Sequence, residues 1–435
     1  MSLTTPNSIR KFQRKLYRKA KREPDFRFYS LYDKIYRKDV LNHAYRLVKE
    51  NGGGPGVDEQ TFIDIEGEGL TDWLEDLRVD LKEGTYEPSP LKRVGIEKET
   101  GGTRPLSIPT IRDRVAQMAA KLVLEPVFEA DFKDQAYGYR PNKSAQDAVE
   151  EVHDNLKEGY RHVVDADVAG YFDNIPHDQL LKAVANRVSD GSVLALIKAW
   201  LKVPVIEEDD EGNRTYSEGK SSTKGTPQGG VISPLLANIY INRFLKAWEG
   251  YGKGEYYDAV LVNYADDFVI LSRGNSGARK ALEWTEWAMD QMGLELNEDK
   301  THLLFADEED FDFLGYTFGR DYYRKTGRWY LAAKPSAKSV KSLKERVKRI
   351  LGPSNKANWD FVKGKLNQLL SGWANYYSYG SRLLAYRSID QYVYDAISRF
   401  IRRRKKISSR ATRILSREAV FGDLGVRRLC HKPRG

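Results

Sequence analysis

The stretch that most constrains this chain is 259–272, AVLVNYADDFVILS, in which two apolar runs flank TyrAlaAspAsp and its adjacent carboxylates, Asp266 and Asp267. Short runs rich in Val, Leu and Ile read as buried strands, and so brief a link leaves room only for a tight hairpin. The tip would then display two carboxylates on a rigid ribbon. An ordinary surface turn is the plainer expectation, because Asp is a favoured turn residue.

A second segment changes that balance. Residues 162–173, HVVDADVAGYFD, carry a strand-like run to Asp167 and then turn through Gly170 towards a helix. A central strand cannot leave Asp165, Asp167 and Asp173 all solvated. If it lies beside the hairpin, Asp167 joins Asp266 and Asp267 in one cluster, whose like charges raise one another's pKa and call for a compensating cation. Oxygen donors with no His or Cys nearby suit a hard ion, and Mg²⁺ shared with substrate phosphates is the usual choice. Two such ions about 3.5–4 Å apart activate a 3′-hydroxyl and stabilise a leaving pyrophosphate, the chemistry of nucleotidyl transfer.

TyrAlaAspAsp at 264–267, the Asp167 segment, and TPQGGVISPLLAN at 226–238 are the residues on which the chain resembles the reverse transcriptases of group II introns. The resemblance implies an α+β right-hand polymerase with fingers, an antiparallel-sheet palm and an α-helical thumb. It implies RNA-directed DNA polymerase activity joined to an intron maturase role in splicing and mobility. Its partners would be structured intron RNA, an RNA template with a DNA or RNA primer, and dNTPs. Residue by residue, it assigns Asp167, Asp266 and Asp267 to catalysis and to Mg²⁺. Lys98 and Arg104, on opposite arms of a hairpin at 93–109, would close on the triphosphate. Phe172 would meet the sugar and exclude a 2′-hydroxyl, with core packing as its plainer role. Gln228 would hydrogen-bond the nucleotide or template base, and Lys300 would assist proton donation to pyrophosphate unless it is an ordinary surface lysine. PheLeuGlyTyr at 313–316 resembles the hairpin that supports the primer end, and GlyTrpAlaAsnTyrTyr at 372–377 the maturase-specific thumb block. The alternative is the same enzyme detached from any intron and used in repair, defence or spacer acquisition.

Charge agrees with a polyanionic partner: Lys and Arg total 71 against 62 Asp and Glu, a formal charge of +9, although many housekeeping proteins share that balance. Cys430 is the single cysteine, which excludes an intrachain disulfide and argues against the zinc-stabilised endonuclease some family members carry. No apolar stretch approaches a membrane span and the N-terminus lacks an apolar signal core, so the expectation is a cytoplasmic protein without a membrane partner.

The chain is expected to divide into a basic N-terminal extension (1–37), fingers and palm (38–320), a thumb or maturase-specific domain (321–408) and a short basic tail (409–435). In 10–22, eight of thirteen residues are basic, and Arg14, Lys15 and Arg18 are candidates for RNA phosphates against the competing reading of a solvated tail. Arg112, Arg114 and Arg140 are candidates for the template strand, with a structural salt bridge the equal alternative. Ser233 and Pro234 read as a helix N-cap and first helical position. Between 336 and 404 three helical patterns follow one another and predict a three-helix bundle. Lys338, Lys341, Lys344, Arg346, Lys348 and Arg349 on its first helix are candidates for a nucleic-acid face.

Overall fold

The computed structural model describes residues 4–97, 103–208, 214–323, 326–405 and 416–430. Its strands are β1 (Leu91–Glu97), β2 (Thr103–Ile108), β3 (His162–Asp167), β4 (Pro204–Glu208), β5 (Arg214–Glu218), β6 (Ala259–Tyr264), β7 (Asp267–Ser272), β8 (His302–Phe305), β9 (Phe311–Phe313), β10 (Tyr316–Tyr323) and β11 (Arg328–Pro335). They form three sheets, ordered β2-β1-β4-β5, β6-β7-β3-β8 and β11-β10-β9.

The sheet containing β3 and β7 is the palm, and all its neighbours run antiparallel. Side chains alternate across a strand, and here both faces are covered. Val164, Ala166, Leu261, Phe268 and Ile270 pack against Tyr240 and Phe244 of the Ser233–Gly250 helix and Ala278 and Ala281 of the Asn275–Gln291 helix. Val163, Val262, Val269 and Leu271 pack on the other side against Val149, Val152 and Leu156 of the Ala145–Lys157 helix and Phe311 and Phe318 of β9 and β10. Each fully buried side chain of this size contributes about 1.5–3 kcal/mol. A one-residue slip would therefore exchange both apolar faces at once, which fixes the register.

The fingers carry the sheet of β1, β2, β4 and β5, in which β1 pairs antiparallel with β2 and parallel with β4. They meet the palm where Ser107 N donates to Gln228 O at 2.7 Å. Gly229 sits against that junction with φ 115°, and a Cβ there would stand 2.5 Å from Ser107 O. Only glycine tolerates both the angle and the approach. The following helix begins at Ser233 itself, so its N-cap falls on Ile232 and not on Ser233, and Ile232 makes no side-chain cap bond. Gln117 supplies the acceptor instead, its Oε1 taking Val231 N at 2.8 Å.

The N-terminal segment shares the fingers' core. The Asn7–Arg22 helix buries Ile9, Leu16 and Ala20 in the same cluster as Val115, Ala119 and Leu122 of the Ile111–Glu129 helix, and Gln13 donates to Leu122 O. Arg10, Lys11, Arg14, Lys15 and Arg18 are left on its exposed side.

The thumb helices, Ala337–Ile350, Trp359–Tyr376 and Leu383–Lys405, close around Leu343, Val347, Val362, Leu366, Ile389, Val393 and Ile397. Ser336 and Asn358 cap the first two, as side-chain acceptors for Ser339 N and Phe361 N. Two expected boundaries are corrected. The division after residue 320 cuts β10, whose ladder with β11 continues to Tyr323 and Arg328. The tail drawn from 409 is not separate either. Val420, Val426 and Leu429 are buried in the thumb core, and Leu429 N and Cys430 N donate to the buried Asp390 carboxylate at 2.8 and 3.0 Å. Among the described residues no helix is long and apolar enough to cross a membrane.

Candidate active site

Asp167 closes β3 and Asp267 opens β7, and the two are direct partners in the antiparallel ladder. Partners share a face, so both carboxylates lie on the side of the sheet turned to β9, β10 and the thumb. Asp266 stands in the two-residue turn between β6 and β7, where Ala265 has a φ of 59°. A side chain in that left-handed region costs of order 1 kcal/mol. Asn263 offsets it: its buried amide donates to Ala265 O at 2.9 Å, while its own backbone is tied to Gln135 O and Tyr137 N. Val168 N donates to Asp266 O at 3.3 Å and anchors the tip to the strand that carries Asp167.

The electrostatics follow from this crowding. Burial, then Asp266 and Asp167, push the Asp267 carboxyl up to about 7. Burial, then Asp312 and Asp167, push Asp165 up to about 7 as well. Lys300 Nζ lies 2.9 Å from Asp167 Oδ2, and that carboxylate first, despite partial burial of the lysine, raises the Lys300 pKa. The cluster thus has an excess of negative charge, with Lys300 drawn onto Asp167 and Lys338 acting on Asp165. Its donors are all carboxylate oxygens, which fits a hard divalent ion. Among the described residues no three His, Cys, Asp or Glu side chains form a ready-made metal cage, so substrate oxygens would have to complete the coordination, as is usual for Mg²⁺.

Around the carboxylates the remaining residues fall into distinct positions. Phe172 is buried, edge-on to Tyr139 at 6.5 Å between ring centres, and its carbonyl accepts from Thr226 N at 2.6 Å. Gln228 Nε2 donates to both Asp173 carboxylate oxygens, at 3.0 and 2.9 Å, so its amide is anchored beside the segment that carries Phe172. Arg104 lies opposite Ile96 in the β1–β2 ladder. Lys98 lies outside the described residues.

From Asp267 a cleft of about 1440 Å³ extends along the thumb. Lys338, Lys341, Arg346 and Arg349 of the first thumb helix and Lys365 of the second line it, with Asp312 on the opposite rim. Of the six basic residues named from sequence on the first thumb helix, Lys338, Lys341, Arg346 and Arg349 face the cleft. Lys344 turns to the third helix, donating to Ser388 Oγ at 2.8 Å with Tyr392 beneath it, and Lys348 is exposed away from the lining.

The template role for Arg140 is corrected. Its guanidinium is buried, paired with Glu129 at 2.7 Å and donating to Lys133 O and Ala136 O. Arg112 is paired with Asp80, and Arg114 holds the glycine-rich turn by donating to Gly52 O and Gly54 O. In each case an internal acceptor satisfies a partly or fully desolvated guanidinium, and loss of that acceptor would strand the charge. Asn263 and Asp312 escaped notice as site residues, because only the fold brings them to the carboxylates.

An antiparallel palm with paired aspartates, a fingers sheet on one side and a basic helical thumb on the other define a right-hand nucleic-acid polymerase. Residues 96–318 match the reverse transcriptase (RNA-dependent DNA polymerase) family and residues 340–418 the group II intron maturase-specific domain. The chain is similar to Protein YkfC of Escherichia coli, at 33% identity over 71% of this chain and 87% of that protein. It is similar to the group II intron-encoded protein LtrA of Lactococcus lactis at 30% identity, over 66% of this chain and 56% of that one. A putative COX1/OXI3 intron 1 protein of Saccharomyces cerevisiae is 28% identical over 64% of this chain and 38% of its own length. The chain belongs to the group II intron reverse transcriptase/maturase family and is an RNA-directed DNA polymerase of that type.

Proposed function

We propose that the chain copies RNA into DNA at Asp167, Asp266 and Asp267, with Mg²⁺ as the divalent ion and dNTPs as substrate, and that it does so for its own intron RNA, whose splicing it assists. The observation that carries this reading is the pairing of Asp167 with Asp267 across β3 and β7, with Asp266 in the adjoining turn. Bound there, Mg²⁺ supplies an activated primer 3′-hydroxyl and charge neutralisation at the leaving pyrophosphate.

The chain's own residues do the rest. The three carboxylates would hold the cations, and Lys300, 2.9 Å from Asp167, would offer its ammonium to the departing phosphates. Phe172, rigid in the core, presents a wall beneath the sugar and disfavours ribonucleotides. Gln228, braced by Asp173, lines the approach of the base pair. Arg104, in β2, and Lys98, which lies outside the described residues, are the cations assigned to the triphosphate. The cleft lined by Lys341, Arg346 and Arg349 receives the template–primer duplex, and the exposed face with Arg14, Lys15 and Arg18 grips structured RNA. Primer extension on an RNA template, with dNTPs against rNTPs, tests the polymerase half; restoration of splicing to a cognate intron transcript at low Mg²⁺ tests the maturase half. DNA synthesis with no effect on any intron transcript would remove the second half and leave the first.

A further inference from the structure

The segment 372–377 takes no part in the chemistry above, yet its rings form the junction of thumb and palm. Tyr376 Oη donates to Leu314 O at 3.0 Å, and Tyr376 O accepts from Tyr316 Oη at 2.9 Å and from Gln146 Nε2 at 3.0 Å. Leu314 and Gly315 make the turn between β9 and β10 with φ of 50° and 76°, a conformation a leucine adopts only under constraint. A Cβ on Gly315 would stand 2.4 Å from Tyr377 Oη, so that ring is seated directly on the turn. Ser336 N, at the N-cap of the first thumb helix, donates to Gly315 O at 2.9 Å. The thumb therefore grips a strained turn from two sides. Leu314, Gly315, Tyr376 and Tyr377 line the same cleft as Asp267. Burial, with the neighbouring Tyr377, Tyr264 and Tyr316 hydroxyls and the Asp267 carboxylate, pushes the Tyr376 hydroxyl well up, so it remains a donor at any working pH.

We propose that Tyr376 is a positioning residue for DNA synthesis: its hydroxyl, with the Tyr377 ring, sets the Leu314–Gly315 turn and through it the primer terminus against Asp267. Closure of the thumb and alignment of the primer end are then one event, and the maturase-specific block has a duty in polymerisation separate from RNA binding. This rests on reading the turn as the primer support and the carboxylates as the polymerase centre.

The test compares full-length Tyr376→Phe, Gly315→Ala, Gly315→Ala with Tyr377→Phe, and Asp267→Ala on one RNA template with a DNA primer. Single-turnover extension rate, dNTP half-saturation, template–primer affinity and melting temperature are read for each. Tyr376→Phe is expected to stay folded and to keep both affinities while its extension rate falls about tenfold, the scale of a small misplacement of reacting groups. Gly315→Ala should lose at least as much, and Tyr377→Phe should recover part of it, because the clash is with the hydroxyl. An unchanged rate in Tyr376→Phe, an equal loss of template–primer affinity, or no recovery in the double variant would overturn the proposal. Asp267→Ala separates the two claims: it abolishes extension if the carboxylate reading holds, and extension retained there would sink that reading independently of anything Tyr376 does.

Discussion

Lys300 Nζ stands 2.9 Å from Asp167 Oδ2, so a cation of the chain itself occupies the carboxylate that heads the acidic cluster. An ammonium and a divalent ion compete for the same oxygen. Lys300→Ala is therefore expected to lower the Mg²⁺ concentration that half-protects the free protein against heat by about two- to fivefold, the range a surface ion pair supports. The same variant should extend primers more slowly, because the released ammonium no longer meets pyrophosphate. Thermal melts across an Mg²⁺ titration, paired with extension rates, check both.

The acidic cluster also sets a pH dependence. Asp267 and Asp165 are pushed up to about 7 by burial and by their neighbours. A carboxyl with a raised folded-state pKa holds its proton more tightly folded than unfolded. Its contribution to stability is fully present below the ordinary carboxylate range and is lost as pH rises through about 7. The melting temperature of the metal-free protein should fall between pH 5 and pH 8, and Mg²⁺ should restore more of it at pH 8. Asp267→Asn should flatten both trends, as read by melts at each pH with and without Mg²⁺.

Arg14, Lys15 and Arg18 lie on the exposed side of a helix whose other side is in the fingers' core. Replacing all three with alanine should leave the fold intact and weaken RNA binding. The slope of log affinity against log salt should become shallower by about two to three, one phosphate contact per side chain. Filter binding of a structured RNA at several salt concentrations measures it.

Leu429 is buried in the thumb core, and its amide is held by Asp390. Leu429→Ala should cost about 2–5 kcal/mol, as for other buried leucines. Denaturant unfolding checks this, and a cost near zero would return 416–430 to the status of a loose tail.

What the sequence made legible was local. The β6–β7 hairpin is written in two apolar runs and a two-residue turn, and the thumb helices in the helical spacing of Leu343 and Val347, then Val362 and Leu366. Non-local partners left no such trace. Arg140 reads equally as a template contact or a salt-bridge partner until the fold sets Glu129 beside it. Asp312 and Lys338 lie far along the chain from Asp165, and only the fold, through β9 and the first thumb helix, brings their charges to it. Residues 416–430 carry their apolar side chains without a sustained period, and Asp390 holds them through backbone amides that no side-chain pattern reveals.

The central claim is that Asp167, Asp266 and Asp267 act together as the polymerase centre, and Asp266→Ala reaches it most directly because Asp266 stands at the turn, outside the ladder. Template-dependent DNA synthesis and RNA affinity should be measured on the same folded preparation. The expected result is a loss of synthesis of at least about a hundredfold, the scale for removing one group at a centre where charge develops, with RNA affinity unchanged. Synthesis retained within a few fold of the parent chain would contradict the account.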